Sequence, residues 1–286
     1  MIDNKNTCPS RTAYGAAINR AVHQILDVPL ILDDSIALRI IEPNELVELQ
    51  ANLGHYQTQE ALYLRAFIVM RSRYTEDILA QSIQTGTSQY VILGAGLDTF
   101  AYRNPYPESV LNVFEVDQPN MQSWKRKHLR MMGISIPKPL TYVPINFETE
   151  RLGQALQVKN FKADKTTFFS WLGVTQYLTP NAVFETLKFV SSLPQSSEIV
   201  FEYVLSPSLL NSSQQKDLEE TARRSSLGGE PWMSSFEPFV LMENLHELGF
   251  SYVDDFDSNK ANEQYFKNRT DKLSIGGIAR IMRARV

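Results

Sequence analysis

This sequence of 286 residues is poor in the features that mark several classes of protein. It has one cysteine, Cys8, so no disulfide can form within the chain and no zinc site can be built on cysteine. It has no excess of positive charge. The 28 Lys+Arg stand against 32 Asp+Glu for a formal net charge of -4, which gives no electrostatic ground for a nucleic-acid partner or an anionic membrane surface. No run approaches the ~20 apolar residues that span a bilayer. The opening Met1-Ile-Asp-Asn-Lys-Asn-Thr-Cys-Pro-Ser10 lacks the apolar centre of a signal peptide. No internal repeat and no low-complexity linker divides the chain. What is present is ordinary globular usage, 43% hydrophobic and 21% charged, and a soluble cytoplasmic protein is expected.

Periodicity separates two stretches. Residues 1–88 read as helical: Arg11–Leu26, a segment after Pro43, and a long one from about Gln57 to Ile83 whose buried side is marked by Leu62, Ala66, Val69 and Met70. From Gln89 onward, short β-rich runs alternate with helical segments. The runs are Tyr90–Leu93, Leu111–Val116, Leu140–Ile145, Thr166–Ser170, Glu198–Leu205, Ser251–Phe256 and Gly276–Arg285. The helices between them lie near Pro119–Met132, Glu148–Gln157, Pro180–Leu193, Ser206–Arg224 and Glu237–Leu248. Strand, helix, strand in repetition predicts an α/β fold: a doubly wound, mainly parallel seven-stranded sheet with helices on both faces and a helical N-terminal extension. The final Arg280-Ile-Met-Arg-Ala-Arg285 alternates apolar and basic residues and is expected to be a half-exposed edge strand. We read 1–286 as one domain, with 1–88 an extension or cap and 89–286 the cofactor-binding core.

The segment Tyr90-Val-Ile-Leu-Gly-Ala-Gly-Leu-Asp-Thr99 carries the most chemistry. A buried strand runs into Gly94-Ala-Gly96, where the lack of side chains lets a ligand touch the backbone. About twenty residues on, Phe114-Glu-Val-Asp-Gln-Pro119 places a carboxylate where a ribose diol would sit. A dinucleotide site normally has a third glycine and a helix N-terminus for pyrophosphate. Here Thr99 takes the glycine position, and Asp98 puts negative charge where phosphate would lie. A phosphate-free cofactor joining adenosine to an amino acid suits this turn better, and S-adenosylmethionine is such a cofactor.

Three ordered motifs carry a family resemblance: Leu93-Gly-Ala-Gly-Leu-Asp-Thr-Phe-Ala-Tyr-Arg103, Phe114-Glu-Val-Asp-Gln-Pro119 and Phe168-Phe-Ser-Trp-Leu-Gly-Val-Thr-Gln-Tyr-Leu-Thr-Pro180. With the 12–34 region, Gly229-Glu-Pro-Trp232 and Glu247-Leu-Gly-Phe250, they resemble the leucine carboxyl methyltransferase family over nearly the whole chain. More closely, they resemble its bacterial branch of S-adenosylmethionine-dependent O-methyltransferases, which includes enzymes of polyketide biosynthesis. The resemblance implies cofactor contacts from Arg71 (with Arg73 the alternate), Gly94, Ala95, Gly96, Asp98, Asp117 (with Glu115 close to it), Asn146 and Phe147. Arg71 would hold the methionine carboxylate, unless it forms a surface ion pair with Glu76 or Asp77. Asp117 would contact the ribose, and Asn146-Phe147 would face the adenine. Two positions depart from the family pattern: Asn146 stands where an acid is usual, and Leu172 where many relatives have glutamate.

Methyl transfer from a sulfonium is an in-line displacement that requires no metal, and positioning alone is worth ~7–11 kcal/mol. Trp171, Tyr177 and Tyr203 fall at or beyond strand ends, where aromatic faces could hold the sulfonium or the acceptor. His23, His55, His128 and His246 show no paired spacing with acids and are assigned no catalytic role. A carboxylate acceptor arrives ionised and needs no base, so a small-molecule carboxylate fits slightly better than a phenol. A protein C-terminal carboxylate is the less favoured acceptor. The basic Lys125-Arg-Lys-His-Leu-Arg130 is expected to be a solvated helix face. The alternatives are an NAD(P)-dependent oxidoreductase and a non-catalytic relative that binds cofactor.

Overall fold

A computed structural model describes residues 10–286; Cys8 lies outside them. The first helix, α1 (Arg11–Leu26), begins where the Ser10 hydroxyl accepts from the Ala13 N–H, a side-chain cap of the usual kind. Pro43 opens α2 (Pro43–Ala51), and Thr58 caps the long α3 (Gln59–Gln84). All four residues expected on the inner side of α3, Leu62, Ala66, Val69 and Met70, are buried.

The remaining chain alternates strand and helix: β1 (Gln89–Leu93), α4 (Phe100–Arg103), β2 (Asn112–Asp117), α5 (Pro119–Met131), β3 (Leu140–Pro144) and α6 (Leu152–Gln157). It continues with β4 (Thr167–Trp171), α7 (Pro180–Ser191), β5 (Glu198–Val204), α8 (Ser212–Leu227), α9 (Pro238–Glu247), β6 (Tyr252–Phe256), α10 (Ser258–Ala261) and β7 (Ala279–Arg285). Each expected strand is found within a few residues of its expected limits. Two helices start several residues later than expected, for local reasons. Asn211 forms a capping box with Gln214 and delays α8 to Ser212. Before α6, the Glu148 carboxylate accepts from the Thr179 N–H and hydroxyl instead of joining the helix.

The seven strands are ordered β3-β2-β1-β4-β5-β7-β6. The first five are parallel, and β7 runs antiparallel to both its neighbours. The expectation for β7 is therefore corrected: it lies inside the sheet, and β6 is the edge. Two of its three basic residues meet acids on neighbouring strands, while Arg285 stays exposed. Arg283 Nε donates to Glu198 of β5 at 2.5 Å, and Arg280 Nη1 to Asp255 of β6 at 2.5 Å.

Strand alternation loads each face of the sheet with its own core. Val91, Phe114, Phe169, Trp171, Phe201 and Tyr203 pack against α6, α7 and α9. Tyr90, Ile92, Val113, Phe168 and Val200 pack against α3. A third cluster joins Ala17 and Ala21 of α1 to Leu97 and to Met121 and Leu129 of α5. Thus α3 forms one layer on the sheet, and α1 closes over the end of β1. Among the described residues no helix is long and apolar enough to cross a membrane.

Candidate functional site

At the carboxyl end of β1 the backbone enters the left-handed region twice, at Gly94 (φ 64°) and Gly96 (φ 41°). A Cβ on Gly94 would stand 2.3 Å from Val174 Cγ2, and one on Gly96 would stand 3.1 Å from Ala13 Cβ of α1. Both conformation and space therefore require glycine at Gly94. Exposure alternates along the turn: Gly94, Gly96 and Asp98 reach the surface, whereas Ala95, Leu97 and Thr99 are buried. Ala95 is buried. Its N–H donates to Val116 O at 3.1 Å and its carbonyl accepts from Asp98 N at 2.6 Å, so both its polar groups serve the turn itself.

The Asp98 carboxylate accepts from the Phe100 N–H at 2.8 Å and so occupies the first donor of α4. A four-residue helix headed by a carboxylate offers little to pyrophosphate. Beside it, the buried Arg20 of α1 donates from Nη2 to Leu97 O at 2.6 Å. Asp34, also buried, accepts from the Thr99 hydroxyl at 2.5 Å and lies 3.3 Å from Arg103 Nε. These contacts fix the outer wall of the turn. The sequence reading did not single out Arg20, Asp34 or Arg103 for this role, because nothing local ties a residue of α1 to one beyond β1.

The two acids of β2 share a face but not an environment. Glu115 is 1% exposed and its Oε2 accepts from Lys125 Nζ at 2.9 Å, with the Tyr102 hydroxyl 3.3 Å away. Burial pushes its carboxyl up to about 7, against the Lys125 ammonium that holds it down. The pair is structural, which removes Glu115 as the alternate ribose acid. It also corrects the basic stretch on α5: Lys125 and His128 are buried, and only Arg126, Lys127 and Arg130 face outward. Asp117, at the strand end, accepts from the Gly96 N–H at 2.5 Å and from the Gln118 N–H at 2.7 Å. Burial raises its carboxyl above the ordinary range, while these two N–H groups pull it back.

Beyond β3, Ile145 N donates to Asp117 O at 2.9 Å and so brings Asn146-Phe147 beside that acid. The Asn146 Oδ1 accepts from Glu148 N at 3.0 Å, leaving one lone pair and the amide NH2 without a partner among the described residues. The Phe147 ring lies 5.9 Å from that of Trp171.

Past β4, Gly173 (φ 72°) leaves room for Arg71: a Cβ there would lie 3.0 Å from Nη1 and 3.1 Å from Nη2. Arg71 does not form the surface pair with Glu76 or Asp77. Glu76 goes to Arg103 and Asp77 to Arg73. Arg71 Nη1 instead donates to Glu202 Oε2 of β5 at 2.5 Å. Arg73, half exposed, is thereby removed as the alternate.

Two of the three aromatic candidates turn away. Trp171 and Tyr203 are fully buried in the core on the opposite face of the sheet, and the Tyr203 hydroxyl donates to Asp255 at 2.7 Å. Odd positions on β4 and β5 face that core; only Tyr177, in the turn after β4, is partly exposed. Among the histidines, His23 is paired after all: Nδ1 meets Asp27 Oδ2 at 2.7 Å and Nε2 accepts from Ile31 N at 3.0 Å. Asp27 is further held by Arg65, so this is a buried brace for the segment after α1.

A family model described as Leucine carboxyl methyltransferase matches residues 13–191. YktD of Bacillus subtilis, provisionally named as an S-adenosyl-L-methionine-dependent methyltransferase, is 32% identical over 289 residues, covering 93% of this chain and 94% of its own. A Mycobacteroides abscessus protein of the same provisional description is 30% identical over 184 residues, covering 63% of this chain and 60% of its own. Among solved structures, a duf574 family protein from Streptomyces avermitilis superimposes with a TM-score of 0.57 at 13% identity, over 95% of this chain and 96% of that one. That likeness shows a shared fold.

Proposed function

The chain belongs to the leucine carboxyl methyltransferase family, and from that premise we propose that it is an S-adenosylmethionine-dependent O-methyltransferase acting on a small-molecule carboxylate. The observation that carries the reading is the cradle at the carboxyl ends of β1, β2 and β4. Two glycines open the backbone there, with the Asp117 carboxylate at one side and the Arg71 guanidinium at the other. These residues fit the group. Arg71 would hold the methionine carboxylate, Gly94 and Gly96 would lie against the amino-acid backbone, Asp117 would meet the ribose, and Asn146-Phe147 the adenine.

When bound, that cofactor supplies a methyl group on a sulfonium, open to in-line displacement. The chain's own contribution is binding, orientation and exclusion of water, with α1 laid over Gly96. Three of the histidines are engaged elsewhere: His23 with Asp27, His128 with the Ile40 carbonyl at 2.6 Å and His246 with the Phe250 carbonyl at 3.0 Å. An acceptor that arrives as a carboxylate needs no proton removed, which favours it over a phenol. Polyketide-like acids belong to this acceptor class.

Thermal-shift titration tests the cofactor, since a ligand bound only to the folded state raises its melting temperature. S-adenosylhomocysteine is expected to raise it and NAD(H) to leave it unchanged; the reverse would overturn the reading. Methyl-labelled cofactor offered with a panel of carboxylic acids and phenols tests the acceptor. Label in an alkali-labile ester supports a carboxylate, and label only in alkali-stable ethers excludes it.

A further inference from the structure

The ion pair between Arg71 and Glu202 differs from its counterpart deeper in the molecule. Arg65 and Asp27 saturate each other: Nε meets Oδ2 at 2.8 Å, Nη2 meets Oδ1 at 2.9 Å, and the third nitrogen takes the Tyr56 carbonyl at 2.7 Å. Arg71 and Glu202 share a single contact, Nη1 to Oε2. Among the described residues Glu202 Oε1 accepts no hydrogen bond, and Arg71 Nε and Nη2 donate none. A charged residue inside a strand as apolar as Glu198-Ile-Val-Phe-Glu-Tyr-Val204 is costly unless its bonding capacity is used. Here one of the two Glu202 oxygens and two of the three Arg71 nitrogens have no such partner among the described residues, and Glu202 is 5% exposed.

The pair also borders the glycine turn. Arg71 rests on Gly173, whose neighbour Val174 packs against Gly94. The other acids near the turn are committed: Asp98 to the Phe100 N–H, Glu76 to Arg103, and Asp117 to the Gly96 N–H. The α-ammonium and α-carboxylate of an amino acid sit on one carbon, so recognising both at once takes a cation and an anion side by side, each with a free edge. We infer that Glu202 is a cofactor-binding residue, its free oxygen accepting from the α-ammonium while Arg71, which it holds in place, takes the α-carboxylate. This rests on the cofactor reading above.

The sheet register supplies an internal control. In the parallel pair β4 and β5, Phe168 faces Glu198 and Trp171 faces Phe201, where the pairing ends; the same register carried one residue past β4 would set Leu172 beside Glu202, on the same face. A carboxylate introduced at Leu172 should therefore replace one lost at Glu202.

Calorimetric titration of the full chain with three ligands tests this: S-adenosylhomocysteine, its deamino analogue, and 5′-methylthioadenosine, which lacks the amino-acid end. The wild type should prefer S-adenosylhomocysteine to the deamino analogue by on the order of tenfold to a hundredfold, the worth of a hydrogen bond to a charged group. Glu202→Gln should erase that preference without weakening 5′-methylthioadenosine, and Leu172→Glu added to it should restore the preference. Equal wild-type affinity for the first two ligands would overturn the assignment, whether or not Glu202→Gln folds. An equal loss for all three ligands in Glu202→Gln would overturn it too, by reducing Glu202 to a support. If the wild type binds none of the three, the cofactor reading itself falls.

Discussion

Two charged neighbourhoods meet at β5 of the same sheet, and they use similar residues differently. Along β5, β7 and β6 the charges are spent on one another. Arg283 goes to Glu198, and Asp255 takes Arg280 on one oxygen and the Tyr203 hydroxyl on the other. Arg283 and Arg285 lie over the Tyr252 ring at 5.4 and 5.2 Å. At the carboxyl ends of β1, β2 and β4, Arg71 holds one partner by one nitrogen, and Asp117 is satisfied by backbone N–H groups that a ribose hydroxyl could rival. Saturated charge fastens strands together. Charge with unused bonding capacity beside an open backbone turn is where the proposed cofactor would bind.

Substitutions can break this contrast, and the largest effect is expected at a deeply buried ion pair. Lys125→Met strands Glu115 without a cation in the interior, and should cost about 3–5 kcal/mol in urea unfolding at neutral pH. The same pair sets a pH dependence. The Glu115 carboxyl lies at about 7 in the fold against a usual 4.5, so the folded state binds that proton more tightly than the unfolded chain does. Its contribution is fully present below about 4.5 and is lost as pH rises through about 7, a decline of up to roughly 3 kcal/mol across the window. The double substitution Glu115→Leu with Lys125→Met should flatten that slope in unfolding curves taken from pH 4.5 to 8.

At the antiparallel margin, Glu198→Gln should lower stability by about 2 kcal/mol and leave affinity for S-adenosylhomocysteine unchanged. At the parallel ends the pattern should reverse. Asp117→Asn is expected to weaken S-adenosylhomocysteine about tenfold by calorimetry while moving the urea midpoint little. If Asp117→Asn destabilised the fold and spared binding, the contrast would be lost. The smallest effect belongs to Arg224→Ala on α8, whose partners Glu60 and Glu220 lie in solvent; no change in the unfolding curve is expected.

Much of the fold was legible because buried parallel strands are near-continuous apolar runs with glycine or proline at their limits, as at Tyr90–Leu93 before Gly94. The position of β7 was not. Alternating apolar and basic residues look the same whether the basic side meets water or meets Glu198 and Asp255, residues distant in sequence. The glycine turn and Asp117 were legible from local spacing. The pairing of Glu202 with Arg71 was not anticipated, although a signal existed: an acid inside an otherwise apolar strand needs a partner, and Arg71 was already read as a cation in need of a carboxylate. The roles of Trp171 and Tyr203 were misjudged because position along a strand was weighed and parity was not. Glu115 looked equivalent to Asp117 until its cation, ten residues on along α5, came into view.

The interior position of β7 also bears on how the molecule is made. Strand β6 pairs with β7 and with no other strand, and β5 is bordered on that side by β7 alone. A nascent chain can therefore assemble its five parallel strands while still tethered to the ribosome, yet it must keep β6 waiting until Arg285 has cleared the exit tunnel. Until then the outer flank of β5, rich in valine and phenylalanine, is a bare template for any passing strand, and this is the interval in which a chaperone would matter most.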